Sequence, residues 1–468
     1  MCGRGTLPAR GSRVWDTTDR IDTLIILGAG GDLTSRLLLP GLASLLASSR
    51  SHGVQLIGVD RGEMTDAAWH SKVSEAFETP ESALGARVAK KSFYLQGDAT
   101  QAADLQRAFD AATGRIALYF ALPPAVTILV VKALSGLDLP KGIVFALEKP
   151  FGTDLATARA LNRRLEKLVP ESQVFRVDHF LGKSTVLNLL GLRFANRIFE
   201  PLMSAPNVEK VEIVFDEQLA LEGRAGYYDK AGALTDMIQS HLLLVLALTA
   251  MEPPASVNAD DLRGGMAQVL RATRPWKKDG TSSGRAHYTA GTIDGRKLPA
   301  YTAEEGVDPA RETETLAEIT LAIDNWRWAG VPFILRSGKA IGEAKQEIVV
   351  TLREVPHLPT GLHGPKGPVQ LRISMKPATL ELDLMVNGED DPFELERVVL
   401  DSPLRAGELN AYGEVLSSLL DGDATLSVRG DVAEECWRIL APVIAAWKRG
   451  DVPLKTYAAG SGGPASFE

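Results

Sequence analysis

Between residues 21 and 150 one pattern recurs: a short continuous apolar run, a turn, then a helix-like stretch. TLIIL (Thr23–Leu27) leads into GAGGDLTSR (Gly28–Arg36) and LLLPGLASLL (Leu37–Leu46). VQLIGV (Val54–Val59) ends at Asp60 and Arg61, and SFYLQ (Ser92–Gln96), IALYFA (Ile116–Ala121) and GIVFAL (Gly142–Leu147) add three further runs. Strands apolar on both faces are buried on both faces, so this part predicts a parallel sheet covered by helices. The expected fold is a doubly wound, Rossmann-like α/β domain.

After about residue 200 the pattern changes. VEKVEIVF (Val208–Phe215), LAEITLAI (Leu316–Ile323), EIVVTLR (Glu347–Arg353) and VQLRIS (Val369–Ser374) largely alternate apolar and polar positions. That alternation belongs to antiparallel strands with one wetted face. Ala233–Met251 and Ala433–Trp447 read as helices. The second part is expected to be α+β, a large, mainly antiparallel sheet backed by helices. The resulting division is a disordered tail over 1–20, a first domain over 21–200 and a second over 201–468; a chain of 468 residues exceeds what one core usually organises.

Composition narrows the function classes. Hydrophobic residues make up 45%, charged residues 24%, and the net charge is −8, which gives no field for a nucleic-acid backbone or an anionic membrane. An anionic ligand must be caught by a local cluster. Cys2 and Cys436 are the two cysteines, so a disulfide framework is excluded and a cytoplasmic location is expected. LIIL (Leu24–Leu27) is far too short to cross a bilayer, and residues 1–20 lack the apolar core of a signal peptide.

Five segments carry candidate chemistry. GAGGDL (Gly28–Leu33) sits where a dinucleotide fingerprint belongs, although Leu33 replaces the third glycine, so a plain βα turn remains open. Asp60 favours ribose hydroxyls and Arg61 a 2′-phosphate, or the two are a charged loop end. EKPFG (Glu148–Gly152) puts Lys149 at the carboxyl edge of the sheet, where ligands bind in open α/β folds. In RVDHFLGK (Arg176–Lys183), His179 and Lys183 are four apart and on a helix would share a face able to hold phosphate, with Asp178 turned elsewhere. Glu217, Asp236 and His241 form a further polar set, His241 followed directly by LLLVLAL; the imidazole is either a base paired with a carboxylate or a satisfied core histidine.

Taken in order, these segments resemble the glucose-6-phosphate dehydrogenase family: GAGGDL, ALPP from Ala121, EKPFG, VDHFLGK, NLLGLRFANRIFEP from Asn188, EGRAGYYD from Glu222, AMEPP from Ala250, IDNWRWAGVPFILRSGK from Ile323 and GSGGP from Gly460. The resemblance implies oxidation of glucose 6-phosphate at C1 to the 1,5-lactone with hydride transfer to NADP, with NAD possible as well, in the oxidative pentose phosphate pathway. It implies His241 as general base with Asp178 as its partner. It assigns His179 and Lys183 to the 6-phosphate, and Glu217, Asp236 and Lys339 to the sugar phosphate. Lys149 would contact substrate and coenzyme, and Gly28, Gly30, Gly31, Asp32, Leu33 and Arg61 the coenzyme; no metal is implied. A homodimer or homotetramer is expected.

Phe180 stands where the family usually has Tyr, Ser184 where it has Glu, Ala344 where a basic residue is common and Ser374 where Gln is common. Two other readings fit parts of the pattern. One is a sugar dehydrogenase of the glucose-fructose oxidoreductase type, which would have no use for the cationic grip of DHFLGK and Lys339. The other is a metabolite sensor without turnover, which would not need both Asp178 and His241.

Overall fold

The computed structural model describes residues 20–405, 407–465 and 467. The expected N-terminal tail, save Arg20, lies outside the described residues, as does Cys2. The chain forms two compact units: one built from residues up to Leu147 with Arg164–Phe175 and Tyr412–Ala424, the other from Glu148–Arg163, Arg176–Ala411 and the chain from Thr425 onward.

In the first unit, β1 (Thr23–Leu27), β2 (Gln55–Asp60), β3 (Phe93–Gln96), β4 (Ile116–Phe120) and β5 (Val144–Glu148) pair in the order β5-β4-β1-β2-β3, all parallel. All five residues of β1 and of β4 are buried, which explains their continuous apolar runs: both faces are covered and no position is left for alternation. The strand order reverses between β1 and β4, so the turns leaving their carboxyl ends, Gly28–Gly31 and Ala121–Pro124, flank the crevice position of a doubly wound sheet. Gly28 has φ +87, and a Cβ built on it would lie 2.3 Å from the Ala121 carbonyl oxygen. Only glycine fits there.

β6 (Val174–Val177) has its last two residues, Arg176 and Val177, in the second unit, where they pair antiparallel with β18 (Ser427–Val428). The main sheet comprises β7 (Val208–Asp216), β8 (Thr273–Pro275), β9 (Ser283–Thr289), β12 (Leu316–Ile323), β13 (Phe333–Gly338), β14 (Gln346–Leu352), β15 (Gln370–Met375), β16 (Ala378–Asn387), β17 (Leu395–Pro403) and β19 (Leu454–Ala458), while β10 (Gly291–Ile293) and β11 (Arg296–Leu298) form a separate hairpin. Its order is β17-β16-β15-β14-β7-β13-β12-β9-β19, with β8 added against β12. Two pairings, β13 with β7 and β19 with β9, are parallel and the others antiparallel. The expected fold class is thus present in both units.

Apolar residues of the run Ala225–Ala250 form a large part of the core. By length and composition that run could cross a membrane, but 83% of its most apolar window is buried inside the protein. It is also broken at Gly232 (φ 67, ψ 173). Beyond the break the chain winds as a π-helix over Leu234–Leu242 before becoming α-helical at Leu243–Ala250. Glu314 explains the break: its carboxylate accepts the Leu234 N–H at 2.9 Å, and a Cβ on Gly232 would meet that carboxylate at 2.3 Å. The π stretch has a geometric consequence. Its i→i+5 hydrogen bonding makes residues five apart near neighbours, whereas at 3.6 residues per turn they would be well round the helix from each other. Asp236 and His241 are five apart.

Candidate active site

Five segments of the second unit carry the candidate residues: the turns after β5, β6, β7 and β13, and the π-helix. Asp178 follows β6 directly, and its backbone enters three overlapping turns: Leu181 N donates to Asp178 O at 3.1 Å, Gly182 N to His179 O at 3.2 Å and Lys183 N to Phe180 O at 3.1 Å. This corrects the helical reading of DHFLGK. His179 and Lys183 lie in a turn segment, and Lys183 is the N-cap of the helix Ser184–Phe194. Asp178 drives the difference, since its Oδ1 accepts the Phe180 N–H at 2.9 Å and closes an Asx turn in place of a helical turn.

The Asp178 carboxylate faces His241. His241 Nδ1 lies 2.7 Å from Oδ1 and 2.8 Å from Oδ2, and both residues are 1% exposed. Burial by itself would push the Asp178 carboxyl up, but the His241, His179 and Lys149 side chains hold it at about 2. The His241 imidazole is pushed below its ordinary value, first by burial and then by Lys149, against the opposing pull of Asp178. Desolvation outweighs the ion pair, so the resting pair is a carboxylate and a neutral imidazole. Because the carboxylate can only accept, the proton sits on Nδ1 and Nε2 keeps its lone pair.

Two cation–carboxylate pairs stand nearby. Lys149 Nζ, beyond the cis Lys149–Pro150 bond, donates to Asp236 Oδ1 at 2.9 Å and to the Asp236 carbonyl at 2.7 Å. Burial opposes the Lys149 charge, but Asp236 and Tyr227 outweigh it and the ammonium is held above its ordinary value. Asp236 sits at about 2 despite burial, because Lys149 stabilises the carboxylate. Lys339, just past β13, donates to Glu217 Oε2 at 2.8 Å, Glu217 lying just past β7.

Lys183 differs from both. Among the described residues no carboxylate lies within ion-pair distance of it, and its Nζ rests over the Phe180 ring, 3.7 Å from the centroid, and 4.7 Å from that of Phe215. Burial brings the ammonium down to about 8, leaving it charged and without an anion at neutral pH. His179 is pushed to about 3 by burial and the neighbouring His241, so of the expected phosphate pair only Lys183 carries charge before a ligand arrives. Lys376, in the turn between β15 and β16, also acts on the Lys183 ammonium; nothing in the sequence marks it, because a lone lysine in a turn belongs to no motif. Tyr227, whose hydroxyl donates to Asp236 Oδ1 at 3.3 Å, was visible only as part of EGRAGYYD.

In the first unit, Gly28 N and Ala29 N donate to the Val59 carbonyl, at 2.9 and 3.2 Å, and Gly31 N to the Gly28 carbonyl at 3.0 Å. Gly30 N donates to Asp60 Oδ2 at 2.8 Å. Helix begins at Asp32, and Leu33 is only half-buried. A Cβ on Gly31 would approach the Gly28 carbonyl to 3.2 Å. The exposed Arg61 guanidinium makes no ion pair among the described residues. A glycine turn open to close approach and an unpaired guanidinium at the end of β2 fit a phosphorylated dinucleotide.

Two family models cover nearly the whole chain: glucose-6-phosphate dehydrogenase, NAD binding domain, over residues 25–188, and glucose-6-phosphate dehydrogenase, C-terminal domain, over residues 190–468. The chain belongs to the glucose-6-phosphate dehydrogenase family. It is 37% identical to glucose-6-phosphate 1-dehydrogenase of Treponema pallidum, over 94% of this chain and 92% of that one. It is also 37% identical to that of Gluconobacter oxydans, over 94% of each. The crystal structure of glucose-6-phosphate 1-dehydrogenase from Mycobacterium avium matches with a TM-score of 0.84 at 34% identity, covering 96% of both chains. A family structure in complex with glucose 6-phosphate matches with the same TM-score at 28% identity, again over 96% of both chains. A 3-ketoreductase from Actinomadura kijaniata, at 13% identity and a TM-score of 0.51, shares the fold alone.

Of this family member's departures, Phe180 is buried within the site, and Ser184 begins the helix behind Lys183, its Oγ accepting the Gly407 N–H at 3.3 Å. Ser374 lies on β15 opposite Glu347, and Ala344 is exposed.

Proposed function

We propose that this chain oxidises glucose 6-phosphate at C1 to 6-phosphoglucono-1,5-lactone, passing the hydride to NADP. The observation that carries the reading is the buried neutral imidazole of His241, held by Asp178, in a site that also holds an unpaired ammonium, Lys183. A sensor needs the second feature alone; an alcohol-oxidising enzyme that grips a phosphate needs both. The glucose-fructose oxidoreductase type of reading finds no support beyond a shared fold.

His241 Nε2 takes the O1 proton as the C1 hydrogen departs with its electron pair and the C1–O1 bond becomes a carbonyl. Asp178 keeps the imidazole in the Nδ1–H tautomer and stabilises the imidazolium that forms. Lys183, with His179, holds the 6-phosphate and so fixes C1 relative to Nε2. Asp236, Glu217 and Lys339 are assigned to the substrate's polar groups, and Lys149 to substrate and coenzyme. Gly28, Gly30 and Gly31 would shape the turn that lets the pyrophosphate approach, Asp32 and Leu33 would offer it the backbone amides that open the helix, and Arg61 would hold the 2′-phosphate. NADP supplies the nicotinamide carbon that accepts the hydride. Asp60 beside Arg61 leaves room for NAD as a second acceptor. The reading includes a homodimer or homotetramer and a cytoplasmic location.

The test is an assay for coenzyme reduction with glucose 6-phosphate against free glucose, each with NADP and NAD. Glucose 6-phosphate is expected to be preferred by at least 10³-fold in kcat/KM, because free glucose leaves the ammonium grip unused. Comparable rates with free glucose would contradict it.

A further inference from the structure

Phe180 is 2% exposed and has a charged or ionisable group close to each face of its ring. The His241 imidazole stacks on it, centroids 4.1 Å apart and planes at 13°. The Lys183 ammonium lies 3.7 Å from the same centroid. Two groups that close to one ring centre collide if they share a face, so the ring lies between them. Phe215 supports the arrangement, its ring tilted at 59° with centroids 5.0 Å from Phe180, and His179 meets the His241 ring edge-on at 4.6 Å. Asp178 fixes one edge of the imidazole, but hydrogen bonds through a single nitrogen leave the ring free to tilt about that nitrogen. The stacked phenyl face removes that freedom.

We propose that Phe180 is a positioning residue of this reaction, resting on the reading of His241 as base and Lys183 as phosphate ligand: its ring holds the base in plane and parks the ammonium on its far face until an anionic substrate draws it off. Phosphate competes with an aromatic face for Lys183, and a cation–π contact is weaker than a charge-assisted hydrogen bond to phosphate, so the exchange favours the substrate. The ring that gives up the ammonium keeps the imidazole.

The prediction separates this role from ordinary packing. Phe180→Leu keeps an apolar filler but loses the flat face. It is expected to lower kcat at least tenfold while leaving the KM for glucose 6-phosphate no more than twofold higher, since Lys183 is then free of the ring. Loosened packing admits water to His241, so its value rises towards that of a free imidazole and the acid limb of kcat/KM moves to higher pH. The groups that set this limb are Asp178 and His179 on the same turn, Lys183 behind the ring, Asp236 on the π-helix and Lys149 from its own turn. Phe180→Tyr, which keeps the face, should rescue kcat to within threefold.

The deciding measurement is a double-mutant cycle. In a His241→Asn background Phe180→Leu should no longer lower kcat, because the ring has no base to hold. An equal loss in both backgrounds, or a loss confined to KM, overturns the proposal. If the leucine variant does not fold, Phe180→Met, which fills the space with a flexible chain, is read by the same criteria. Near-parental turnover in His241→Asn alone would instead remove His241 as base, a failure visible before Phe180 is altered.

Discussion

At the end of β1 a ligand meets backbone, the amides of Asp32 and Leu33 that open the helix, and the close approach needs only glycines: Gly28 at φ +87 against the Ala121 carbonyl, Gly31 against that of Gly28, their own N–H groups donating internally. In the second unit the offered groups are side chains, and burial decides what each can do. The same desolvation that keeps His241 neutral brings Lys183 to about 8 and His179 to about 3. Amides carry fixed partial charges at any pH, so a turn of this kind works by shape; a buried cluster works by protonation state and is sensitive to every neighbour. Substitutions should therefore act differently in the two places. In the turn they should change coenzyme affinity alone, and in the cluster they should change rates and pH profiles.

Asp178→Asn is expected to have the largest effect of the substitutions that sharpen this contrast. An amide in place of the carboxylate no longer fixes the tautomer, and kcat should fall by about 10³-fold. The acid limb should also move. Asp178 raises the His241 value, the base works only when unprotonated, and so losing Asp178 should carry the fall in activity to lower pH. A pH series of kcat/KM checks both parts.

Lys183→Ala comes next. Losing one charge-assisted hydrogen bond costs about 1.5–3 kcal/mol, or roughly 10–150-fold in KM for glucose 6-phosphate. In the parent, the free enzyme's ammonium loses its proton as pH passes about 8, so kcat/KM should drop on that alkaline side. The variant should lack this drop, which a pH titration of the two proteins would reveal.

The smallest effect belongs to the first unit. Arg61 is exposed, and Arg61→Ala should raise the KM for NADP by roughly 5–30-fold, about 1–2 kcal/mol, while leaving the KM for NAD and the acid limb unchanged. Parallel coenzyme titrations test this, and a shifted pH profile would erase the distinction between the two regions.

The same contrast explains what could be read from the chain. The glycine turn was legible because strand, turn and helix are consecutive, and each of the first unit's apolar runs became a strand. β12 was legible to the residue, since alternation over Leu316–Ile323 needs no distant partner. The dyad was not legible from spacing: Asp178 and His241 are 63 positions apart, and only resemblance to a family paired them. RVDHFLGK misled because a four-residue spacing suggests a helix, while the Asx turn closed by the Asp178 side chain is a local hydrogen bond that periodicity does not register. The break at which the π-helix starts is bonded to Glu314, 73 positions beyond His241 (314 minus 241) and silent in any motif. Lys376 was equally silent.

Steady-state turnover of His241→Asn with glucose 6-phosphate and NADP decides whether His241 is the base. With His241 as base, kcat should fall by about 10²–10⁴-fold with KM within a few-fold of the parent, because the phosphate grip is untouched. Turnover close to that of the parent, or a loss appearing only in KM, would contradict it.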